Sequence, residues 1–143
     1  DHVDELFELH AMLEADVLTR SIPHLTSAHF AEAESILAEL EQSLTHEDSA
    51  NLWSDLNTQF HVCLYQGCHR PQTMDMISML NQNASRYIRL HFLLAGGIHK
   101  AGPEHRQLIN YCKNQQIDEA VEILKRHILG AKDEIRALLQ RQD

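Results

Sequence analysis

The chain has 143 residues, 43% of them apolar, and a formal charge of −9, which fits one domain able to close a core without disulfides or structural metal. It has no run of about 18 apolar residues to cross a membrane, its acidic opening Asp1-His2-Val3-Asp4-Glu5 is unlike a secretion signal, and Cys63, Cys68 and Cys112 are too few and too irregular for a disulfide framework, so a reducing cytoplasm is the expected compartment. Residues 1–50 hold twelve Asp/Glu against one Arg, while residues 51–143 hold nine acids against eleven Lys/Arg, so the first part would repel a phosphate backbone.

Residues 3 to about 19 carry Val3, Leu6, Phe7, Leu9, His10, Leu13 and Val17 at helical spacing and stop before the Ser21-Ile22-Pro23 break. His10 flanks the apolar side of this first helix and reads as structural. Thr26 or Ser27 can cap a second helix with Phe30, Ala33, Ile36, Leu37, Leu40 and Leu44 as its stripe and a solvated acidic face outside. The cluster Thr45-His46-Glu47-Asp48-Ser49 is a loop, with Asp48 or Ser49 capping a third helix that runs to about Gly67.

That third helix buries Trp53, Leu56, Phe60 and Leu64. His61 lies beside this stripe, and Asn57, one turn earlier, projects to the same place. An imidazole and a side-chain oxygen four residues apart can offer two ligands to one metal ion. Asp55, six residues from His61, lies on a different face.

Pro71 suits the first turn of a fourth helix, whose apolar positions from Met74 to Leu94 continue through about Ala95. A polar patch, Asn81-Gln82-Asn83, marks a kink or a division in two. Arg86 sits on the flank of the Asn83–Leu90 stripe, able to reach inward, and Arg89 falls at the surface or an interface. Gly96-Gly97 ends the helix. Pro103 then begins a fifth helix with Glu104 in its first turn and His105, Leu108, Ile109 and Cys112 on its buried side. After the turn Lys113-Asn114-Gln115-Gln116, a last helix runs from about Ile117 or Asp118 to Leu139, and His127 takes a core position between Leu124 and Ala131.

No strand pattern, glycine-rich phosphate loop, Cys-x-x-Cys pair or nucleophile elbow is present. The long helices and short connections predict an all-α antiparallel helical bundle. Three of its helices each place one histidine, His61, His105 or His127, toward the core, whereas His2, His24, His29 and His46 sit among polar or turn residues. Three buried imidazoles are hard to satisfy with hydrogen bonds alone. A shared divalent cation satisfies them, taking one nitrogen from each ring; three separately hydrogen-bonded histidines are the rival reading.

The order of an Asn57-x-x-Phe60-His61 helix, an Arg-bearing helix, and Glu104-His105 followed 22 residues later by His127, with Asp118-Glu119-Ala120 between, resembles the C-terminal effector-binding (FCD) domain of FadR-type regulators in the GntR superfamily. The opening Glu5-Leu6-Phe7-Glu8-Leu9-His10-x-x-Leu13-Glu14 is similar to that family's first helix, which usually has Arg where this chain has His10. The resemblance implies a bundle of six or seven helices with a central pocket, serving as the effector-sensing and dimerisation domain of a bacterial transcriptional regulator. It implies a homodimer, and a winged helix-turn-helix outside these 143 residues through which any DNA contact is made. Many members hold a divalent ion on one Asp and three His; mapped by motif, the ligands are His61, His105 and His127, with Asn57 at the Asp position. Zinc is the first expectation, with nickel or manganese as alternatives. A small organic acid would complete the coordination shell, with Arg86, Arg89, Asn83 and Asn57 as its candidate contacts.

On this reading the chain is not an enzyme. A metal-dependent hydrolase with a three-histidine site is one alternative, against which no Glu or Asp is expected beside the site, because Glu104 points away from its helix neighbour His105. A metal-free helical dimerisation module is the other.

Overall fold

The structure, a computed structural model, describes residues 2–43, 49–95 and 98–141. Six helices follow one another: α1 (His2–Ser21), α2 (Ser27–Gln42), α3 (Ser49–Leu64), α4 (Pro71–Ala95), α5 (Ile98–Lys113) and α6 (Ile117–Arg141), with one 3-10 turn at Ile22–His24. Among the described residues there is no strand, so the fold is the all-α bundle that the helical spacing predicts.

Each helix begins and ends for local reasons. Pro23 stops α1 by forcing the chain into the short turn. Thr26 caps α2: its hydroxyl accepts the His29 amide, and the His29 ring takes the Thr26 amide in return, a capping box with imidazole in the usual place of Glu or Gln. The end of α5 is a Schellman turn, in which the Gln116 amide reaches back to the Tyr111 carbonyl and Gln115 takes a left-handed backbone at φ 58° without being glycine.

Two boundaries differ from the sequence expectation. The fifth helix starts at Ile98, with Pro103 inside it; proline keeps a helical φ, and so near the start of a helix it forfeits one backbone hydrogen bond without ending it. The fourth helix runs unbroken through Asn81-Gln82-Asn83, because those amides can face solvent or a cavity without competing for the backbone. The expected Asp48 cap and the Gly96-Gly97 break lie outside the described residues.

The core joins the stripes of all six helices, with Leu18, Leu37, Phe60, Leu64, Ile77, Leu124 and Ile135 at 1% exposure or less. The first helix packs along α6 and α4, α2 along α3, and α5 along α6. A clasp fixes α1 against α3: the Ser21 hydroxyl, at the end of α1, donates to the Leu64 carbonyl at 2.6 Å and accepts the Gly67 amide at 2.9 Å. Glycine is required there, since a Cβ on Gly67 would stand 2.7 Å from the Ser21 carbonyl oxygen and 2.9 Å from the His24 Cβ.

Candidate metal centre

Between α1, α3, α4, α5 and α6 lies a cavity of about 290 Å³, room for a small organic molecule. His61 and His127 line it, and the buried His105 ring lies against both. The rings of His61 on α3, His105 on α5 and His127 on α6 have centroids 5.3 Å (61–105), 5.7 Å (61–127) and 5.1 Å (105–127) apart. One nitrogen from each lies within 4.8 Å of the others. At that spacing a single divalent ion could take one nitrogen from each ring.

The rings are held as much by packing as by polar contacts. Phe60 meets the His105 ring at 4.7 Å and the His61 ring at 5.4 Å between centroids. His105 is 1% exposed, and neither of its nitrogens has a hydrogen-bond partner among the described residues; His61 Nδ1 and Asn57 Oδ1 are buried in the same condition. Unpartnered buried nitrogens within ligand reach of one another, with an unpartnered amide oxygen on the same cavity wall, are the chemistry that a divalent cation satisfies. Burial pushes the His61 imidazole down to about 4, with Glu14 pulling the other way, and holds His105 well below its ordinary value. Both rings are therefore neutral near pH 7, the ligating form.

A carboxylate is present that own-helix spacing did not indicate. Glu104 points away from His105 but reaches across to α6, where its oxygen lies 3.5 Å from His127 Nδ1. A carboxylate on Nδ1 would leave His127 Nε2 for an ion and help to orient the ring.

On the opposite side, α1 contributes a second buried network. His10 Nδ1 lies 2.8 Å from one oxygen of Glu14, and the Tyr65 hydroxyl donates to the other at 2.6 Å. Burial alone would raise the Glu14 carboxyl, yet His10, the nearby His61 and Tyr65 together hold it below its usual range. The same burial and the Glu14 charge push the Tyr65 phenol well above its own.

The arginines expected to meet a ligand stand elsewhere. Arg86 is exposed; its guanidinium bonds the Tyr87 hydroxyl at 3.0 Å and lies over the Tyr87 ring at 4.8 Å. Asn83 is exposed and Arg89 half-buried, and neither lines the cavity. The inward line of α4 is Ile77, Asn81, Ala84 and Ile88; two residues past Ala84, at roughly 100° per residue, Arg86 is turned to the far side. Arg126 on α6 and the hydrogen-bonded pair His91 and Glu134 line the cavity instead.

The family model described as "FCD domain" matches residues 5–130 of the chain. Two solved structures share the fold. A GntR-family transcriptional regulator from Pseudomonas syringae pv. tomato DC3000 superposes with a TM-score of 0.83 at 23% identity, over 98% of this chain and 58% of that one. The E. coli protein McbR/YncC superposes with a TM-score of 0.81 at 18% identity, over 98% of this chain and 65% of its own. The chain thus spans under two thirds of either. No curated protein sequence matches it.

Proposed function

The chain belongs to the FCD domain family, and on that premise we propose that it is the effector-sensing domain of a transcriptional regulator, capturing a small organic acid at a divalent metal ion. The observation that carries the reading is the convergence of His61, His105 and His127, two of them with ring nitrogens unpartnered among the described residues, beside a ligand-sized cavity. Asn57 would be the fourth protein ligand through its Oδ1. As a neutral donor it leaves more net positive charge at the site than a carboxylate would. Zinc suits three imidazoles best, and nickel and manganese are the alternatives.

The bound ion would supply a positive charge that draws one carboxylate oxygen of the effector. The protein's own groups do the rest. Glu104 holds the His127 ring in register, Phe60 keeps His61 and His105 from rotating away, and the apolar walls from Trp53, Ile88 and Phe92 exclude water, which strengthens each polar contact. Arg126 takes the role that Arg86 and Arg89 were expected to fill, meeting the acid at the mouth of the cavity.

The signal would leave through α6. Five residues beyond His127, Lys132 approaches Asp4 at 3.9 Å and Glu8 at 3.6 Å on α1, and Arg136 reaches Asp4 at 3.2 Å. A ligand that shifts α6 therefore moves the first turns of α1, and through them a DNA-binding domain and the geometry of a homodimer, with a coupling of about 1–3 kcal/mol.

The test is a thermal titration of short-chain carboxylates into the chain before and after chelation. Stabilisation by acids only in the metal-loaded protein is the expected result; equal shifts in both overturn metal-mediated capture.

A further inference from the structure

The α1 network leaves one buried atom on a cavity-lining ring without a partner among the described residues. We propose that His10 Nε2 is a second recognition point, taking a hydroxyl group of the effector, so that the ligand is a hydroxy-monocarboxylate and not a dicarboxylate. The inference rests on the sensing role above and names its ligand class.

His10 lines the cavity with its side chain 5% exposed. Its Nδ1 is bound to Glu14, whose other oxygen is bound by Tyr65, so the ring has no freedom to turn. Its Nε2 is buried and has no hydrogen-bond partner among the described residues. Because the Glu14 carboxylate can only accept, Nδ1 must carry the hydrogen. In the neutral ring Nε2 therefore carries a lone pair; in the charged ring it carries an N–H. A hydroxyl, both donor and acceptor, satisfies either form.

A second carboxylate fits poorly. It could offer the neutral ring only lone pairs, and it would enter a wall that already holds Glu14, with Glu104 and Glu134 on the other sides of the cavity. Arg126, exposed, is the one arginine or lysine among the described residues lining this space. Like charges gathered in a partly dehydrated pocket repel strongly.

The test is calorimetric titration of the zinc-loaded 143-residue chain with matched acids: 3-hydroxypropionate against malonate, 4-hydroxybutyrate against succinate, and butyrate as the apolar control. The hydroxy acid of each pair is expected to bind about tenfold tighter than the diacid and tighter than butyrate, the effect of one well-placed hydrogen bond in a buried site. His10→Phe should bring the hydroxy acids down to the level of butyrate. His10→Arg, which keeps a donor for Glu14 and so protects the fold, should reverse the preference toward the diacids. Diacids that match the hydroxy acids on the unaltered chain, or an unchanged preference in His10→Arg, overturn the assignment. If butyrate binds and the hydroxyl adds nothing, His10 loses its role while metal capture stands; if none of the acids binds, the sensing role fails first and takes this inference with it.

Discussion

An oxygen of Glu104 on α5 lies 3.5 Å from Nδ1 of His127 on α6, a carboxylate set against the one imidazole of the three that is not fully buried. Such a partner would fix which nitrogen faces an ion. Glu104→Gln should therefore weaken zinc binding by about 10- to 100-fold, read by competition against a chromogenic chelator, with the helical content unchanged.

His105 gives a sharper separation of binding from folding. With both nitrogens orphaned at 1% exposure, it contributes nothing polar to the metal-free fold. His105→Leu should leave metal-free stability equal or higher, by about 1 kcal/mol. The same variant should lose the roughly 2.7 kcal/mol of stabilisation that metal at a hundred times its dissociation constant confers. Urea melts with and without zinc measure both.

Acid should unfold the metal-free protein early. The His61 value falls from an ordinary 6.5 to about 4 on folding, and His105 moves the same way. Between those values the unfolded chain takes up the proton first, so stability is lost as pH falls from about 6.5 toward 4. His61 alone accounts for about 2 kcal/mol by pH 5. Glu14, held below its ordinary 4.5, adds stability above that value and loses it at lower pH. Denaturant midpoints at pH 7.5 and 5.0 test the sign; equal midpoints contradict it.

Asn57→Asp should act in opposite directions on the two states. A carboxylate beside three imidazoles should tighten zinc binding by about tenfold or more. Without the ion it adds a buried acid to a cavity wall that already holds Glu14 and should lower metal-free stability by about 1–3 kcal/mol. Chelator competition and metal-free melts on the same sample separate these effects.

Arg86→Ala should change neither ligand affinity nor, beyond about 0.5 kcal/mol, stability, because the guanidinium is engaged only with the exposed face of Tyr87. A tenfold loss of carboxylate binding in that variant would put Arg86 back at the site.

The sequence made some of this site plain and hid the rest for a geometric reason. His61, His105 and His127 occupy stripe positions, and a stripe must face the core whatever the exact packing, so their convergence could be expected from spacing alone. Arg86 sat on a flank, where the rotation of α4 about its own axis decides between cavity and solvent, and only the packing against α1 and α6 sets that rotation. Glu104 points away from its helix neighbour His105, but its partner His127 is on another helix, which own-helix periodicity cannot show. The His10 and Glu14 spacing of four was visible from the start. What turned it into a recognition element was Tyr65, 51 residues beyond Glu14, together with a cavity that no local pattern records.

The Ser21 hydroxyl, bonded to Leu64 and Gly67 at once, has a reach beyond its size. Asn57 and His61 hang from one of the helices it ties and His10 from the other, so a single oxygen atom keeps the proposed metal ligands and the proposed hydroxyl contact in a common frame. Enlarging Gly67 would not touch the pocket, yet it would shear one wall against its opposite, and the damage would surface as lost discrimination among ligands.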